Sequence, residues 1–300
     1  MTYKLLAKQI FLLISTKTWG TQLLPKIGDT GGGFILGIKS VNKKDERLGE
    51  EKLNHQGCLM KIVEYNKAND IVVEFQDKYR GRVHTIYANY KVGNIINPYF
   101  ASILNVGMVG NKYKTSENKK HIKEYAAWCA MLSRCYSKKF KKQRETYEEV
   151  TCCQEWLLFE NFYEWLHCQE NFDKWYNGKK WAIDKDILFK GNKVYSPDTC
   201  CLVPDTVNSL FLKSDKRRGD LPIGVSCYDW DGHTYYILSV SRKRYGHPSM
   251  YFKTPNDAFG YYKNYKEKII KQVAQTEYSS GNITKECYEA MINYEVEITD

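Results

Sequence analysis

The sequence predicts a multidomain α+β protein, on three observations. Alternating Val, Ile, Tyr and Phe run through residues 57–98 and again through 225–252. Residues 124–136, 156–165 and 255–275 instead space their apolar side chains as helices do. Between these regions, residues 181–211 read strand, loop, strand, helix. The expected order is a leader or linker (1–56), a small antiparallel β module (57–110), a central ββα unit with helices (111–215), and a C-terminal three-stranded sheet plus helix (216–300).

Composition bounds the partners. The chain is 43% hydrophobic and 14% aromatic, with 24 tyrosines and a formal net charge of +10. Lysine and arginine neutralise phosphates and release counterions while tyrosine stacks, so this balance suits a polyanion; a solvated basic surface accounts for the charge equally well. The ten cysteines lie mostly inside apolar runs and show no CxxC spacing. That favours buried thiols in a reduced, cytoplasmic chain over a disulfide scaffold. A zinc site drawn from Cys135, Cys152 or Cys153 and Cys200 has no recognised zinc spacing and is not expected.

The leader contains one apolar run, residues 10–14, far short of the ~20 residues a bilayer span needs. It lacks signal-peptide cleavage chemistry, so no membrane partner is expected. The glycine-rich stretch 28–37 has neither the preceding strand nor the lysine of a phosphate cradle and reads as a linker. Runs at 59–65, 70–76 and 82–90, broken at 66–69 and 77–81, predict a three-stranded antiparallel sheet. Ile71, Val73 and Phe75 alternate with Val72, Glu74 and Gln76, which gives one dry face. Lys61, Arg80, Arg82, His84 and Lys91 are candidates for a DNA platform on this sheet, with a plain structural cap as the alternative.

Between positions 112 and 145 the chain carries eleven Lys or Arg against three Glu. Tyr125, Trp128, Leu132 and Cys135 make one stripe of a helix over 124–136. Lys138, Lys139, Lys141 and Lys142 follow, either as a solvated face or as phosphate contacts that set register along a duplex. Trp156, Phe159, Phe162 and Trp165 share one buried face. The stretch 181–211 is the centre of the chain. Asp184, Lys185 and Asp186 end its first apolar run, a turn follows at 190–192, residues 200–203 form the second run, and a helix opens after Pro204 with Asp205 in its first turn. Asp184 and Asn208 are oxygen donors of the kind a hard divalent cation takes.

This stretch resembles the HNH, or ββα-metal, nuclease motif, in particular that of phage homing endonucleases. Asp184 matches the acidic metal ligand, Tyr195, Pro197 and Cys200 match the loop, and Asn208 matches the ligand on the helix. Thr199 stands where the family usually has Asn, and Lys185 stands at the general-base histidine. The spacing of Trp128, Met131, Arg134, Cys135 and Tyr136, followed by Val150, Trp156, Phe159, Phe162 and Trp165, is similar to the segment preceding the motif in the same nucleases. The resemblance implies one divalent ion, Mg²⁺ or Mn²⁺, held by Asp184 and Asn208, and hydrolysis of phosphodiester bonds. A lysine of ordinary pKa, ~10.4, is charged at neutral pH. Lys185 is therefore expected as a base of lowered pKa or as a phosphate clamp, with Asp186 as the fallback carboxylate and His167 and Tyr195 as alternative bases.

Residues 213–220 form a charged connector in which Arg217 and Arg218 are candidate phosphate contacts. Beyond it, runs at 225–230 and 234–241 flank Asp231-Gly232, a strong hairpin signal, and a third run at 249–252 follows Arg242, Lys243 and Arg244. Thr254 and Pro255 cap a helix to about residue 275, with Phe259, Tyr262 and Ile269 as its apolar stripe. Thr284 opens a last short helix. The unit resembles the AP2 DNA-binding domain through Gly224-Val225-Ser226, the aromatic strand Tyr235-Tyr236-Ile237, and Phe252 and Thr254 leading to Ala258 and Tyr262. That resemblance implies a sheet facing the major groove, with Arg242, Lys243, Arg244 and Tyr235 or Tyr236 as DNA contacts; arginine is suited to bidentate contact with guanine. The expected function is binding of double-stranded DNA with metal-dependent HNH-type endonuclease activity in an infected host cell. A non-catalytic DNA-binding or regulatory phage protein with a degenerate finger is the alternative.

Overall fold

Alternation in the N-terminal β region buries one face of a sheet. The computed structural model describes residues 42–212, 219–239 and 250–300, and residues 43–300 form one unit of the chain. After a short helix α1 (Lys43–Arg47), strands β1 (Glu51–Leu53), β2 (Leu59–Lys67), β3 (Asp70–Phe75) and β4 (Arg82–Thr85) make an antiparallel sheet in sequence order. Ile71, Val73 and Phe75 are fully buried with Met60 and Ile62. Two features differ from the sequence reading. β1 adds a fourth strand from what was expected to be leader. The expected third strand stops at Thr85, which pairs with Ile71, because β3 begins only one residue earlier and offers nothing further to pair with. The chain turns instead into helix α2 (Tyr87–Val92), which drives Tyr90 into the core, where its hydroxyl donates to the Glu50 carbonyl at 2.8 Å.

The cations expected to form a DNA platform on this sheet are largely occupied. Lys61 pairs with Glu51 at 3.1 Å, Arg80 and Arg82 with Glu74 at 3.4 and 2.9 Å, and His84 with Asp70 at 2.8 Å. A lysine or arginine already facing a carboxylate gains less when a phosphate approaches.

A small ribbon, β5 (Ser116–Glu117) with β6 (Lys120–His121), leads into helix α3 (Lys123–Tyr136) and the basic helix α4 (Lys138–Gln143). Strand β7 (Thr151–Cys152), a 3-10 turn (Glu155–Leu157), α5 (Phe159–His167) and α6 (Phe172–Asn177) complete the aromatic core. Trp128 and Trp156 are almost wholly buried, and the Trp128 indole N–H donates to the Trp156 carbonyl at 2.7 Å, so burying these rings strands no polar group there. Where this core meets the loop from the N-terminal sheet, buried Glu160 Oε1 accepts the backbone N–H groups of Asn111 and Lys112 at 2.7 and 2.6 Å. Gly110 permits that approach: its φ is +79°, and a Cβ there would lie 2.2 Å from the same oxygen.

The finger follows. Strand β8 (Trp181–Asp184) pairs antiparallel with β10 (Cys201–Pro204), and helix α7 (Asp205–Asn208) runs on into a 3-10 turn (Ser209–Phe211). Between them β9 (Val194–Tyr195) leaves the finger and pairs in parallel with β7. The C-terminal hairpin is β11 (Val225–Trp230) and β12 (His233–Leu238), and among the described residues the expected third strand joins it through one bridge, Tyr236 to Phe252. Helices α8 (Pro255–Ser279) and α9 (Lys285–Ile292) close a core with it, capped by Thr254 and Thr284. Among the described residues, no helix is long and apolar enough to cross a membrane.

Replacing Glu160 with Ala removes the acceptor of two backbone N–H groups, and we expect a loss of about 1–2 kcal/mol in urea unfolding. Gly110→Ala is expected to clash with the same carboxylate, and in the double variant the clash should disappear while the strain of φ +79° remains.

Candidate metal and DNA-binding site

The finger brings Asp184 and Asn208 onto one small scaffold. Asp184 is the last residue of β8 and faces Cys201 across the register, so both side chains lie on the sheet face that meets the C-terminal core. Helix α7 packs on β8 from that core, with Val207 fully buried and Asn208, one residue on, half-exposed. Asp184 Oδ1 accepts the backbone N–H groups of Asp186 at 2.7 Å and Ile187 at 2.9 Å, which turns the chain sharply out of the strand. Its Oδ2 and the Asn208 amide make no hydrogen bond among the described residues.

Lys185 points elsewhere. Its side chain is buried and its ammonium donates to Asp186 Oδ1 and, at 3.1 Å, to the Asn192 carbonyl, while lying 5.9 Å above the Tyr195 ring on the side of the aromatic core. The Asn192 amide returns the contact by donating to the Lys185 carbonyl at 2.8 Å and to Val194 at 2.7 Å. Lysine and asparagine together close the loop 185–194. Thr199, at the family's Asn position, keeps a structural role: its hydroxyl donates to the Val194 carbonyl at 2.7 Å.

The alternative bases are also engaged. His167 Nε2 sits 3.2 Å from Glu124 Oε1 and its ring stacks on Tyr163 and Phe172. Tyr195 is buried, and burial pushes its hydroxyl well above the ordinary tyrosine value. Asp186 remains as a carboxylate with its side chain 49% exposed. The thiols of Cys135 and Cys200 are pushed up to about 12 by burial, which disfavours the thiolates zinc requires. Among the described residues, no group of three or more His, Cys, Asp or Glu side chains is placed to hold a metal. The donors at hand, one carboxylate oxygen and one amide, fit only an ion that keeps most of its shell as water and phosphate, which is the habit of Mg²⁺.

No protein-family model, curated protein or solved structure matches this chain.

The basic helix α4 is tied to the chain just before β7, where Lys141 donates to the Glu148 and Val150 carbonyls, and β7 pairs Thr151 with Val194 at the end of the 185–194 loop. Lys138, Lys139 and Lys142 are exposed and form no ion pair among the described residues. Lys141 is used internally, donating to the Glu148 carbonyl at 2.6 Å and more weakly to Val150. Arg217, Arg218, Arg242, Lys243 and Arg244 lie outside the described residues.

The hairpin separates the two tyrosines that the sequence left as alternatives. Asp231 and Gly232 both take positive φ, 50° and 72°, in a two-residue turn that pairs Trp230 with His233 and Tyr228 with Tyr235. Tyr235 therefore shares the outer face with Tyr228 and Trp230, whereas Tyr236 shares the inner face with Val225 and Leu238, which are buried against α8. Trp230, Tyr228 and Tyr251 were not anticipated as site residues, although the Asp-Gly turn fixes the register that exposes the first two.

Burial raises the Asp184 carboxyl above its ordinary value, against the two backbone N–H groups that pull it down. The folded chain thus holds this proton more tightly than the unfolded chain does. The resulting stability is complete below the ordinary carboxylate value and lost as pH rises through the raised one. Asp184→Asn keeps an oxygen on the turn and removes the ionisation, so calorimetry at pH 7 should give a melting temperature at or above that of the native chain, with the gap closing on acidification. Asp184→Ala loses both bonds and should cost about 1–2 kcal/mol. Lys185→Met should open the loop, seen as faster amide exchange at residues 186–194.

Proposed function

We propose that this chain binds double-stranded DNA and hydrolyses its phosphodiester bonds at the ββα finger, with a divalent cation held by Asp184 and Asn208. The supporting observation is the pairing of a formed finger with two partly buried side chains, from its first strand and its helix, whose Asp184 Oδ2 and Asn208 amide make no hydrogen bond among the described residues. When bound, Mg²⁺ or Mn²⁺ supplies charge neutralisation for the phosphate and the leaving oxygen. Asp184 Oδ2 and the Asn208 amide oxygen would be its protein ligands, and Asp186 lies close enough in sequence to add a carboxylate through water. Lys138, Lys139 and Lys142 would draw the duplex backbone to the same side. Lys185 holds the loop in shape; the proton of the attacking water then leaves to solvent rather than to a side chain at that position.

A specific observation favours a second reading. With the family's base position taken by an ammonium tied to Asp186 and Asn192, the finger has the form of a scaffold without a proton acceptor. In that case the chain binds duplex DNA and does not cut it.

Plasmid nicking with Mg²⁺ or Mn²⁺ tests the proposal. We expect cleavage that a chelator stops and that falls at least about 100-fold in Asp184→Ala and Asn208→Ala, with duplex binding retained. Binding without cleavage under either cation establishes the second reading. Failure to bind any duplex at low salt overturns both. Replacing Lys138, Lys139 and Lys142 together by Ala should flatten the slope of log affinity against log salt by about 2–3.

A further inference from the structure

The outer face of the β11–β12 hairpin leaves aromatic rings uncovered. Trp230 and Tyr251 are each 64% exposed and Tyr228 is 47% exposed. With Tyr235 they line an open cavity of about 390 Å³. Tyr251 stands edge-on to Tyr235 at 6.2 Å and 80°, and tilted to Tyr228 at 6.4 Å and 49°. The rings thus meet at their edges and leave ring faces turned to an open space. Their three hydroxyls and the indole N–H make no hydrogen bond among the described residues, so the walls carry unused donors and acceptors.

Such a cavity calls for a flat, polar-edged guest with room to enter between ring faces. Rings attract cations as well, but no carboxylate is among the described residues lining the space, and a chain of net charge +10 repels a cationic guest while drawing a polyanionic strand. In intact duplex DNA each base face is covered by its neighbours, and only the edges are open to a sheet. An unpaired base exposes both faces, and stacking on aromatic walls tolerates any sequence.

We infer that the cavity of Tyr228, Trp230, Tyr235 and Tyr251 holds an unpaired nucleobase, so that the hairpin engages single-stranded or locally opened DNA. This rests on the DNA-binding reading but is not required by it, since a duplex reader needs no ring-walled pocket. Binding of the full chain to fluorescein-labelled oligo(dT), to an abasic oligomer of equal length and to a perfect duplex tests it by anisotropy. We expect oligo(dT) to bind at least about tenfold more tightly than the abasic oligomer. The Trp230→Ala, Tyr251→Ala double variant should remove that advantage, Trp230→Phe should keep most of it, and duplex affinity should change little. Equal binding of the abasic oligomer, or an unchanged oligo(dT) affinity in the double variant, overturns the inference and leaves duplex binding standing. Concentration-dependent self-association abolished by the double variant overturns it in favour of a contact between two copies. Absence of binding to every nucleic acid overturns the DNA-binding reading itself, and the inference with it.

Discussion

Strand β10 has four residues and no exposed one, and the rest of the site depends on that constraint. Alternation sends Leu202, like Cys200 just before the strand, into the aromatic core, and Cys201 and Val203 into the C-terminal core. A finger of two four-residue strands and a single helical turn has too little apolar surface to order itself. Here it is held from both sides. Asn171 reinforces the junction: its buried amide donates to the Leu202 carbonyl at 2.8 Å and to the Asn282 carbonyl at 3.2 Å, so one side chain ties the finger to the loop between α8 and α9. The C-terminal core accordingly takes in Ile187, Cys201, Val203, Val207 and Leu210 from the finger.

That clamping decides what Asp184 and Lys185 can do. Neighbours in the chain, they serve opposite sides of the finger. The carboxylate shares a face with Cys201 toward the C-terminal core, and the ammonium lies over Tyr195 toward the aromatic one. A metal ligand needs an oxygen free of the fold, and Asp184 spends only one of its two on the turn. A base needs a free lone pair, and the Lys185 nitrogen is surrounded by acceptors. The two neighbouring side chains therefore do different work in the fold, the carboxylate holding the turn after β8 and the lysine holding the loop 185–194.

Much of this fold was legible where the signal is local. The alternation of residues 71–76 gave the buried face of β3, Thr254 with Pro255 gave the start of α8, and Asp231-Gly232 gave the hairpin. The order strand, loop, strand, helix around Asp184 was legible for the same reason. The parallel pairing of β7 with β9 was not, because each contributes two residues and they lie some forty positions apart. Helix α2 was hidden by β-favouring residues whose strand partner simply runs out. The roles of Lys185 and His167 were also beyond the sequence, since they are set by Asn192 and Glu124, partners that only the folded chain delivers.

Net charge alone would spread a polyanion over the whole surface, but the ion pairs concentrate it. The N-terminal sheet neutralises its cations against Glu51, Asp70 and Glu74. Lys190 is spent on Glu297 and Asp300, and Lys112 on Glu164. Lys263 and Lys285 pair along their own helices. Exposed pairs of this kind add little to stability, yet each removes a cation from the field an approaching strand feels. Lys138, Lys139 and Lys142 on α4 form no ion pair among the described residues. The field an approaching polyanion meets is therefore set by where cations lack a carboxylate partner, and not by the net charge of the chain as a whole.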